Sequence, residues 1–246
     1  MLENRTIIVT GANSPIGLEY TRRLLAEGAS VVLADIQLGE AAQALATSDP
    51  RALFVRTDVR SREQTENLAN EALKAFGRID VLINNAALFS TLKRRPFEEL
   101  DVSDWETTLA VNVIGTFNCI RAVTPTMKKQ AGGKIINIAT NAVHKGLPRL
   151  LHYVASKGAV IAMTRSLAKE LGPFGITVNA IAPGYIYHSG TSQTDGGRNE
   201  QVKALRSLPR TQTPEDLTGT MVFLSSAASD FITGQTIVVD GGEVFS

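Results

Sequence analysis

The chain has few of the residues that build disulfide frameworks and metal sites. Its 246 residues include one cysteine, Cys119, and three histidines. No disulfide can therefore form within the chain, and no cysteine-based metal cluster can assemble. The histidines are not spaced as metal ligands, so we predict no metal site. Cys119 lies in an apolar helical stretch, which predicts a buried and inert thiol.

An excess of charge of one sign is also missing. The chain carries 25 Lys and Arg against 24 Asp and Glu, so it has no basic face for nucleic acid and no acidic tail. The basic run at 93–95 is interpreted as a solvated loop. No apolar run approaches the ~18 residues that would span a bilayer, and the first apolar segment is too short for a signal peptide. We expect a cytoplasmic protein with neither a nucleic-acid nor a membrane partner.

Short β-branched runs alternate along the chain with amphipathic segments. The runs are apolar on both faces, which is typical of parallel strands covered by helices on both sides. The pattern predicts an α/β fold, a Rossmann-like doubly wound parallel sheet of about seven strands, in a single domain over residues 1–246. Predicted strands are 6–10, 31–34, 52–55, 79–83, 134–138, 176–181 and 236–239. Predicted helices are 16–28, 38–47, 62–76, 103–130, 153–171 and 214–225.

Residues 184–213 interrupt this rhythm. The segment holds several glycines and polar residues together with Tyr185 and Tyr187. A loop of this length inside a compact domain is usually functional or disordered. It follows the carboxyl end of a predicted strand, the edge at which open α/β sheets bind ligands. We interpret it as a lid over a substrate.

The connection from the first strand to the first helix has the features of a phosphate-binding turn. Gly11 allows a sharp turn, and Gly17 allows the helix to pack closely on the strand. A phosphate placed here would meet free N–H groups and the positive end of a helix dipole. Asp35 ends the second strand, where a carboxylate accepts hydrogen bonds from the ribose hydroxyls of NAD and repels the 2′-phosphate of NADP.

A tyrosine and a lysine form the candidate chemical centre. Tyr153 and Lys157 stand four residues apart near the start of a predicted helix, so they share one face. A free tyrosine has a pKa near ~10, too high for a base at neutral pH. We expect the neighbouring ammonium, together with the positive nicotinamide of NAD, to lower that pKa.

Taken together, the motifs resemble the short-chain dehydrogenase/reductase family over nearly the whole chain. The resemblance rests on Thr10, Gly11 and Gly17, then Asp58, the run at 84–86, Asn112, Tyr153 with Lys157, the run at 179–184, and the segments 232–235 and 240–242.

This resemblance implies a role for each matching residue. Tyr153 would exchange a proton with the substrate oxygen, and Lys157 would hold the nicotinamide ribose. Asn112 would anchor a water that links Lys157 to solvent. The NAD site would comprise Gly11, Asn13, Ser14, Ile16, Gly17, Asp35, Ile36, Asp58, Val59, Asn85, Ala86, Ala87, Tyr153, Lys157, Pro183, Gly184 and Ile186. Asp58 and Val59 would meet adenine, Asn85 the ribose side and Ile186 the carboxamide. The two long helices, 103–130 and 153–171, would pack against a second subunit in a homotetramer or homodimer.

The sequence departs from the family pattern at four positions, of which Ala87 in place of a glycine is the mildest. Thr140 stands where the family has serine, and we predict that its hydroxyl stabilises charge on the substrate oxygen, with Ser156 and Asn141 as the alternatives. Pro15 replaces a glycine and removes an N–H, so the pyrophosphate would rely on Ile16 and Gly17 and NAD would bind more weakly. His188 replaces a threonine that contacts the carboxamide in relatives. Either Thr191 or Ser189 takes over that contact, or His188 faces the substrate.

These residues predict hydride transfer between NAD(H) and a small alcohol or carbonyl. The substrate would contact Thr140, Ala142, Leu147, Tyr153, Tyr185, Tyr187 and His188. Leucines and tyrosines suit a cyclic or aryl compound. The C-terminal segment 209–246 resembles bacterial aryl-alcohol dehydrogenases of the family, which also favours such a substrate. Basic residues at 144, 145 and 149 could instead meet a hydroxylated or anionic one. The alternatives are an NADPH-dependent reductase, disfavoured by Asn13 and Ile36, and an NAD(H)-sensing protein without turnover.

Overall fold

Seven parallel strands form the centre of the molecule. The computed structural model describes residues 1–187 and 196–245. The strands are β1 (Thr6–Thr10), β2 (Ser30–Asp35), β3 (Ala52–Arg56), β4 (Val81–Asn84), β5 (Gly133–Ile138), β6 (Ile176–Pro183) and β7 (Thr236–Val239). They pair in the order β3-β2-β1-β4-β5-β6-β7, and every pairing is parallel. The predicted Rossmann-like doubly wound sheet is confirmed.

Helices cover both faces of this sheet. They are α1 (Pro15–Ala26), α2 (Glu40–Ser48), α3 (Arg62–Phe76), α4 (Val102–Leu109), α5 (Thr116–Lys129), α6 (Ala142–Lys145), α7 (Leu151–Leu171), α8 (Arg198–Leu205) and α9 (Thr218–Ser225). Short 3₁₀ turns lie at Phe97–Glu99, Gly172–Phe174, Pro214–Leu217 and Ala227–Ser229. In the described parts of the chain, no helix combines the length and apolar character needed to cross a membrane.

Alternate residues of the strands pack into two separate hydrophobic cores, one on each face of the sheet. On β1 and β2, Ile7 and Val31 pack with α1, α2 and α9, whereas Ile8 and Val32 pack with α3, α5 and α7. Successive side chains of a strand point to opposite faces, so a doubly covered strand must be apolar at every position. This is why the strand sequences do not alternate between apolar and polar residues.

Two predicted elements differ from the structure. The single helix expected over 103–130 is interrupted by a π-helical turn at Ala110–Gly115. The segment 184–213 is not one continuous loop, because Arg198–Leu205 forms α8 after two glycines in the left-handed conformation. The sequence of α8 mixes apolar and polar residues and gave no clear helical signal by itself. The π-helical turn lies in a stretch that was predicted to be helical, and local propensity does not distinguish the two kinds of turn.

Candidate active site

The connections after β1 and β4 meet at the carboxyl edge of the sheet. The strand order reverses between these neighbours, which is the position where open α/β sheets bind ligands. The Thr10 hydroxyl accepts hydrogen bonds from the backbone N–H groups of Asn85 at 3.1 Å and Ala86 at 3.0 Å. The two connections are thereby held together at their base.

The glycine turn predicted from the sequence is required by this contact. Gly11 has φ +64°, and a Cβ built on it would lie 2.7 Å from the Ala86 Cα. The Asn85 side-chain amide donates to the carbonyl oxygens of Thr10 at 3.0 Å and Gly11 at 2.9 Å, and to Ser14 Oγ at 3.1 Å. Asn85 therefore fixes the turn. Its predicted contact with the cofactor ribose stays a prediction.

The first turn of α1 offers few free donors. Ser14 caps the helix, because its Oγ accepts from the Gly17 N–H at 3.1 Å and donates to the Gly11 carbonyl at 2.8 Å. Pro15 takes the first helical position and has no N–H. The Gly17 N–H that we expected to meet a phosphate thus has a partner already, and Ile16 carries the N–H of this turn best placed for an anion.

Asp35 ends β2 beside the same turn. Its carboxylate accepts from the backbone N–H of Asn13 at 2.9 Å and of Ile36 at 2.8 Å. The Asn13 side chain accepts from the Gly39 N–H at 3.1 Å. The Ile36 side chain is 54% exposed. A carboxylate and an exposed apolar side chain thus stand side by side at the end of the strand.

A cavity of about 540 Å³ opens next to Asp35 and is lined by Ile36, Gln37, Arg56, Asp58, Arg60 and Gln64. Asp58 and Arg60 form an ion pair at 2.6 Å in its wall, and this hydrogen-bonded pair lowers the pKa of Asp58. Val59 is buried and packs closely on Gly115 in the π-helical turn. The structure therefore places Asp58 on the cavity and Val59 directly behind it.

Tyr153 and Lys157 lie on one face of α7 and are both buried. The ring of Phe89 packs on the Tyr153 ring with 4.8 Å between the ring centroids. The Lys157 Nζ donates to the Ile138 carbonyl at the end of β5, at 2.6 Å. The sequence analysis missed Phe89. The only signal for it was its position three residues after Ala86, in a connection that already carried a motif.

Burial determines the titration of this pair. Removal from water raises the pKa of Tyr153 to about 12, and a hydrogen bond with the Thr140 side chain acts in the opposite direction. The same removal from water lowers the pKa of Lys157 to about 8. Without a bound dinucleotide, desolvation is therefore the dominant influence on the phenol. The lowering of its pKa by Lys157 together with the nicotinamide of bound NAD stays a prediction.

Thr140 lies beside the phenol, as predicted for the position of the family serine. Its Oγ accepts from the Ala142 N–H at 3.2 Å, which directs the hydroxyl hydrogen away from the α6 backbone. The alternatives are engaged elsewhere. Ser156 Oγ donates to the Tyr153 carbonyl at 2.7 Å, and the Asn141 amide donates to Asp240 at 3.0 Å. Among these three residues, Thr140 is the one in contact with the phenol.

Asn112 occupies the π-helical turn and is fully buried. Its Oδ1 accepts from the Leu88 N–H at 2.7 Å, and its Nδ2 donates to Ser156 Oγ at 3.0 Å. The amide therefore joins the connection after β4 to the helix that carries Lys157. A wider turn allows this, because it rotates the side chain out of the regular helical position. Its role in a water relay stays a prediction.

The residues predicted to contact the substrate do not all lie next to Tyr153 and Thr140. Ala142 is buried next to Thr140. Leu147 lines a separate cavity of about 510 Å³ together with Phe97, Leu151 and Val154. The Tyr185 ring is covered by Arg198, with 4.4 Å between the guanidinium carbon and the ring centroid. The Tyr187 N–H donates to the Gln212 carbonyl at 2.9 Å. His188, Ser189 and Thr191 lie outside the described residues.

The remaining predicted cofactor contacts follow β4 and β6. Ala87 is exposed in the connection after β4. The Pro183 carbonyl accepts from the Asn141 N–H at 2.9 Å, and the Gly184 N–H donates to the Val239 carbonyl at 3.1 Å. Ile186 is 8% exposed and belongs to the core on the α1 side. Within residues 1–187 and 196–245, no group of three or more His, Cys, Asp or Glu side chains could hold a metal ion.

Comparisons with known proteins agree with this geometry. A family model described as enoyl-(acyl carrier protein) reductase matches residues 11–243. Galactitol 2-dehydrogenase of Agrobacterium fabrum is 37% identical over 100% of this chain and 99% of its own length. A 3-oxoacyl-[acyl-carrier-protein] reductase of Synechocystis is also 37% identical, over 99% of this chain and 98% of its own.

A solved structure agrees with them. The crystal structure of a short-chain dehydrogenase/reductase, glucose/ribitol dehydrogenase, from Brucella melitensis superposes with a TM-score of 0.90 at 33% identity, covering 100% of this chain and 98% of the other. Sequence and fold match along the whole length, and the tyrosine, lysine and asparagine that carried the resemblance lie at one sheet edge. The chain therefore belongs to the short-chain dehydrogenase/reductase family of oxidoreductases.

Proposed function

We propose that this protein interconverts a small secondary alcohol and its ketone by hydride transfer with NAD(H). One observation carries the proposal. The phenol of Tyr153 lies buried against the Thr140 side chain, on the face of α7 that also holds Lys157. A proton donor, a hydroxyl that can stabilise negative charge and a lysine are thus gathered next to the strand-order reversal where a dinucleotide binds.

Asp35 supports NAD rather than NADP as the cofactor. The cavity of about 540 Å³ beside it has the exposed Ile36 side chain on its wall, which suits an adenine ring. The Asp35 carboxylate can accept hydrogen bonds from ribose hydroxyls, and it would repel a 2′-phosphate. Bound at this edge, the nicotinamide would supply the hydride acceptor or donor.

Arg56 supports the second candidate, an NADPH-dependent carbonyl reductase. Arg56 lines the same cavity and donates through Nε to the Ile36 carbonyl at 3.2 Å. Its guanidinium is a natural phosphate partner. Arg60 adds less, because Asp58 neutralises it in a bidentate pair. We favour NAD because Asp35 stands at the strand end itself, between the glycine turn and this cavity.

The chain's own residues would handle the proton as follows. With a pKa of about 12, the Tyr153 phenol is protonated at neutral pH and can donate to a ketone oxygen. The Thr140 hydroxyl can donate a second hydrogen bond to that oxygen and stabilise the charge that develops there. In alcohol oxidation the phenolate must form, and the Thr140 hydrogen bond favours that form. A positive charge on Lys157 would favour it further.

The surroundings of the phenol support an apolar or aryl substrate. Phe89 presents an aromatic ring against Tyr153, and Leu150 is buried just before α7. Flat rings pack well on such walls, with one polar end fixed by a few hydrogen bonds. The names of the relatives, galactitol dehydrogenase and 3-oxoacyl reductase, keep polyols and acyl ketones among the substrates to be tested.

We also propose that the protein acts as a homodimer or homotetramer in the cytoplasm. Val102, Ile114 and Phe117 on the α4–α5 segment are 73%, 50% and 44% exposed, and Leu151 on α7 is 45% exposed. Neighbouring exposed apolar side chains on two long helices support burial against a second copy. These are the two helices that the sequence assigned to subunit contacts.

A screen of secondary alcohols with NAD⁺ and NADP⁺ in parallel tests the function. We expect turnover with NAD⁺ and at least one aryl or cyclic alcohol. Tyr153→Phe should lower kcat/KM by roughly 10²–10⁴-fold while calorimetry shows that the dinucleotide still binds. Undiminished turnover in that variant contradicts the proposed chemistry. Tight NAD binding without turnover of any alcohol would instead favour a sensor.

A further inference from the structure

The last residues of the chain fold into a compact turn, here called the C-terminal clasp (residues 240–244). Asp240 organises it. Its Oδ1 accepts from the backbone N–H groups of Gly242 at 3.0 Å and Glu243 at 3.2 Å, and its Oδ2 accepts from the Val244 N–H at 3.1 Å. Asp240 is 3% exposed. These hydrogen bonds fix the direction in which the Glu243 side chain leaves the backbone.

Glu243 connects the clasp to the turn that holds Thr140. Its Oε2 accepts from the Asn141 amide at 2.9 Å, and Asn141 also donates to Asp240 at 3.0 Å. Its Oε1 forms an ion pair with Lys145 at the end of α6. The Glu243 side chain is 3% exposed. One buried carboxylate thus holds both ends of the 141–145 segment, directly after Thr140.

The other side of the clasp contacts the segment after α8. The Leu208 N–H donates to the Gly241 carbonyl at 2.8 Å, and the Ser207 N–H donates to the Gly242 carbonyl at 3.3 Å. Arg206 Nη2 donates to the Tyr185 carbonyl at 2.7 Å. The clasp therefore lies between the Thr140 turn and the described base of the segment that we expected to cover the substrate.

The Glu243 carboxylate is buried, whereas the Lys145 side chain is 22% exposed. Taking a carboxylate out of water costs free energy, and apolar residues of similar volume often stabilise a fold at least as well. What the carboxylate adds is direction, because two oxygens aimed at two different donors fix the position of a backbone more closely than apolar packing does. The arrangement is therefore better explained by accurate placement of Thr140 than by stability.

We propose that Glu243 is a positioning residue for the reaction, which holds Thr140 at its place beside Tyr153 through Asn141 and Lys145. The inference rests on the proposed function, since Thr140 matters only if the phenol exchanges a proton with a substrate. The carboxylate contacts Asn141 and Lys145, whereas the Thr140 hydroxyl has a partner of its own, the Ala142 N–H. Its effect passes through one peptide unit, because Asn141 follows Thr140 directly and its N–H is held by Pro183 at 2.9 Å on the other side.

The test compares Glu243→Ala and Glu243→Gln with Glu66→Ala. Gln keeps one oxygen for Asn141 and loses the charge and the ion pair with Lys145, whereas Ala loses both contacts. Glu66 forms an exposed pair with Arg62 on α3, far from the site in sequence. We expect Glu243→Ala to lower kcat by about 10- to 100-fold, since small misplacements of a reacting group have effects of that size. The NAD dissociation constant should stay within about twofold, Gln should recover most of kcat, and Glu66→Ala should match the wild type.

Hydrogen exchange of the same variants provides a readout that does not depend on turnover. Glu243→Ala should speed exchange of the amides at 141–145 and 206–208 and leave α3 protected. Unchanged exchange in both segments would show that Glu243 does not hold them in place. Faster exchange with an unchanged kcat would show that holding them does not matter for the reaction, which overturns the positioning role. A wild-type protein that turns over no alcohol defeats the proposed function, and exchange then decides the clasp by itself. Comparable losses in kcat and NAD affinity would show general damage and also overturn the proposal.

Discussion

At the scale of single residues, the candidate centre keeps two ionisable groups in an environment that disfavours their charges. Lys157 is 3% exposed, and its ammonium has the Ile138 carbonyl as a hydrogen-bond acceptor at 2.6 Å. Desolvation lowers its pKa from 10.5 to about 8. The folded protein therefore binds fewer protons than the unfolded chain between about pH 8 and 10.5, so stability rises with pH across this window.

Replacing Lys157 should consequently stabilise the fold while it removes activity. The lowered pKa of Lys157 means that its buried charge destabilises the fold by roughly 3 kcal/mol below pH 8. Removing the lysine also removes its hydrogen bond to Ile138, which offsets part of the expected gain in stability. We expect Lys157→Met to raise the free energy of unfolding at pH 7 by about 1–3 kcal/mol. The gain should vanish above about pH 10.5. Urea unfolding at several pH values measures it, with the exposed Lys129→Met as the control, and a destabilised Lys157→Met at pH 7 would contradict the argument.

Thr140 gives a second prediction at this scale. Thr140→Ser keeps the hydroxyl, whereas Thr140→Val keeps the shape without it. Loss of one donor to a developing oxyanion costs roughly 10²–10³-fold in kcat. We expect Val to show a loss of about that size and Ser to stay within a few-fold of the wild type. Steady-state kinetics with the best alcohol of the screen measure both variants. Equal activity of Thr140→Val and Thr140→Ser would show that the Thr140 hydroxyl takes no part in the reaction.

At the scale of elements, helix ends and one irregular turn place the functional groups. The π-helical turn brings Asn112 next to Ser156, and Gly115 in the same turn lets Val59 pack where a Cβ would be 2.5 Å from its methyl. The start of α1 is arranged differently. Its Ser14 cap uses the Gly17 N–H, and Pro15 supplies none. The helix dipole is thus present with fewer donors than a glycine at this position would give.

Pro15→Gly should therefore strengthen dinucleotide binding. Glycine returns an N–H at the first helical position, where a hydrogen bond to a charged group is worth about 1.5–3 kcal/mol before entropy is counted. Glycine also loses more conformational freedom on ordering, which offsets part of the gain. We expect the NAD dissociation constant to fall by about three- to tenfold in calorimetric titration. Pro15→Ala separates the two effects, because it restores the N–H without the flexibility, and an unchanged constant in both variants refutes the argument.

At the scale of the whole molecule, the site exists only because five connections reach one edge of the sheet. Thr10, Asp35, Asn84 and Pro183 each end a strand there, and Thr140 follows another. The clasp then joins the end of the chain to the middle, since Asn141 and Glu243 are 102 positions apart in the sequence. Loss of the hydrogen bond between Asn141 and Glu243 should therefore affect segments that are far apart in the chain. Loss of an exposed ion pair on a helix should have little effect, because such pairs contribute little to stability.

Assembly is the property of the whole molecule that is most directly testable. Light scattering should show a dimer or tetramer at micromolar concentration. A charge placed among the exposed apolar side chains of α5 opposes their burial, so Phe117→Glu should shift the protein toward the monomer. Leu205→Glu, on α8, is the control, with a parent side chain that is 68% exposed. A monomeric wild-type protein would contradict the proposal.

Local signals explain which elements were predictable. The bounds of α3 agree with the prediction at both ends, because Ser61 caps its start and Gly77 ends it in the left-handed conformation. The strands and the glycine turn were predictable in the same way. The π-helical turn, α8 and the packing of Phe89 on Tyr153 were not, because each depends on neighbours distant in the chain. The raised pKa of the phenol in the absence of a dinucleotide was not predictable either, since burial cannot be read from spacing.

The sequence by itself determined the fold class, the family and the identity of the candidate reacting groups. Periodicity, caps and ordered motifs are local, and each constrains the backbone within a few residues. Only the tertiary structure decided which hydroxyl meets Tyr153, which N–H groups at α1 are already used, and that Glu243 reaches Asn141. Burial and direction of hydrogen bonds arise from segments that meet after folding, and the free energies that set a pKa or place a reacting atom depend on them.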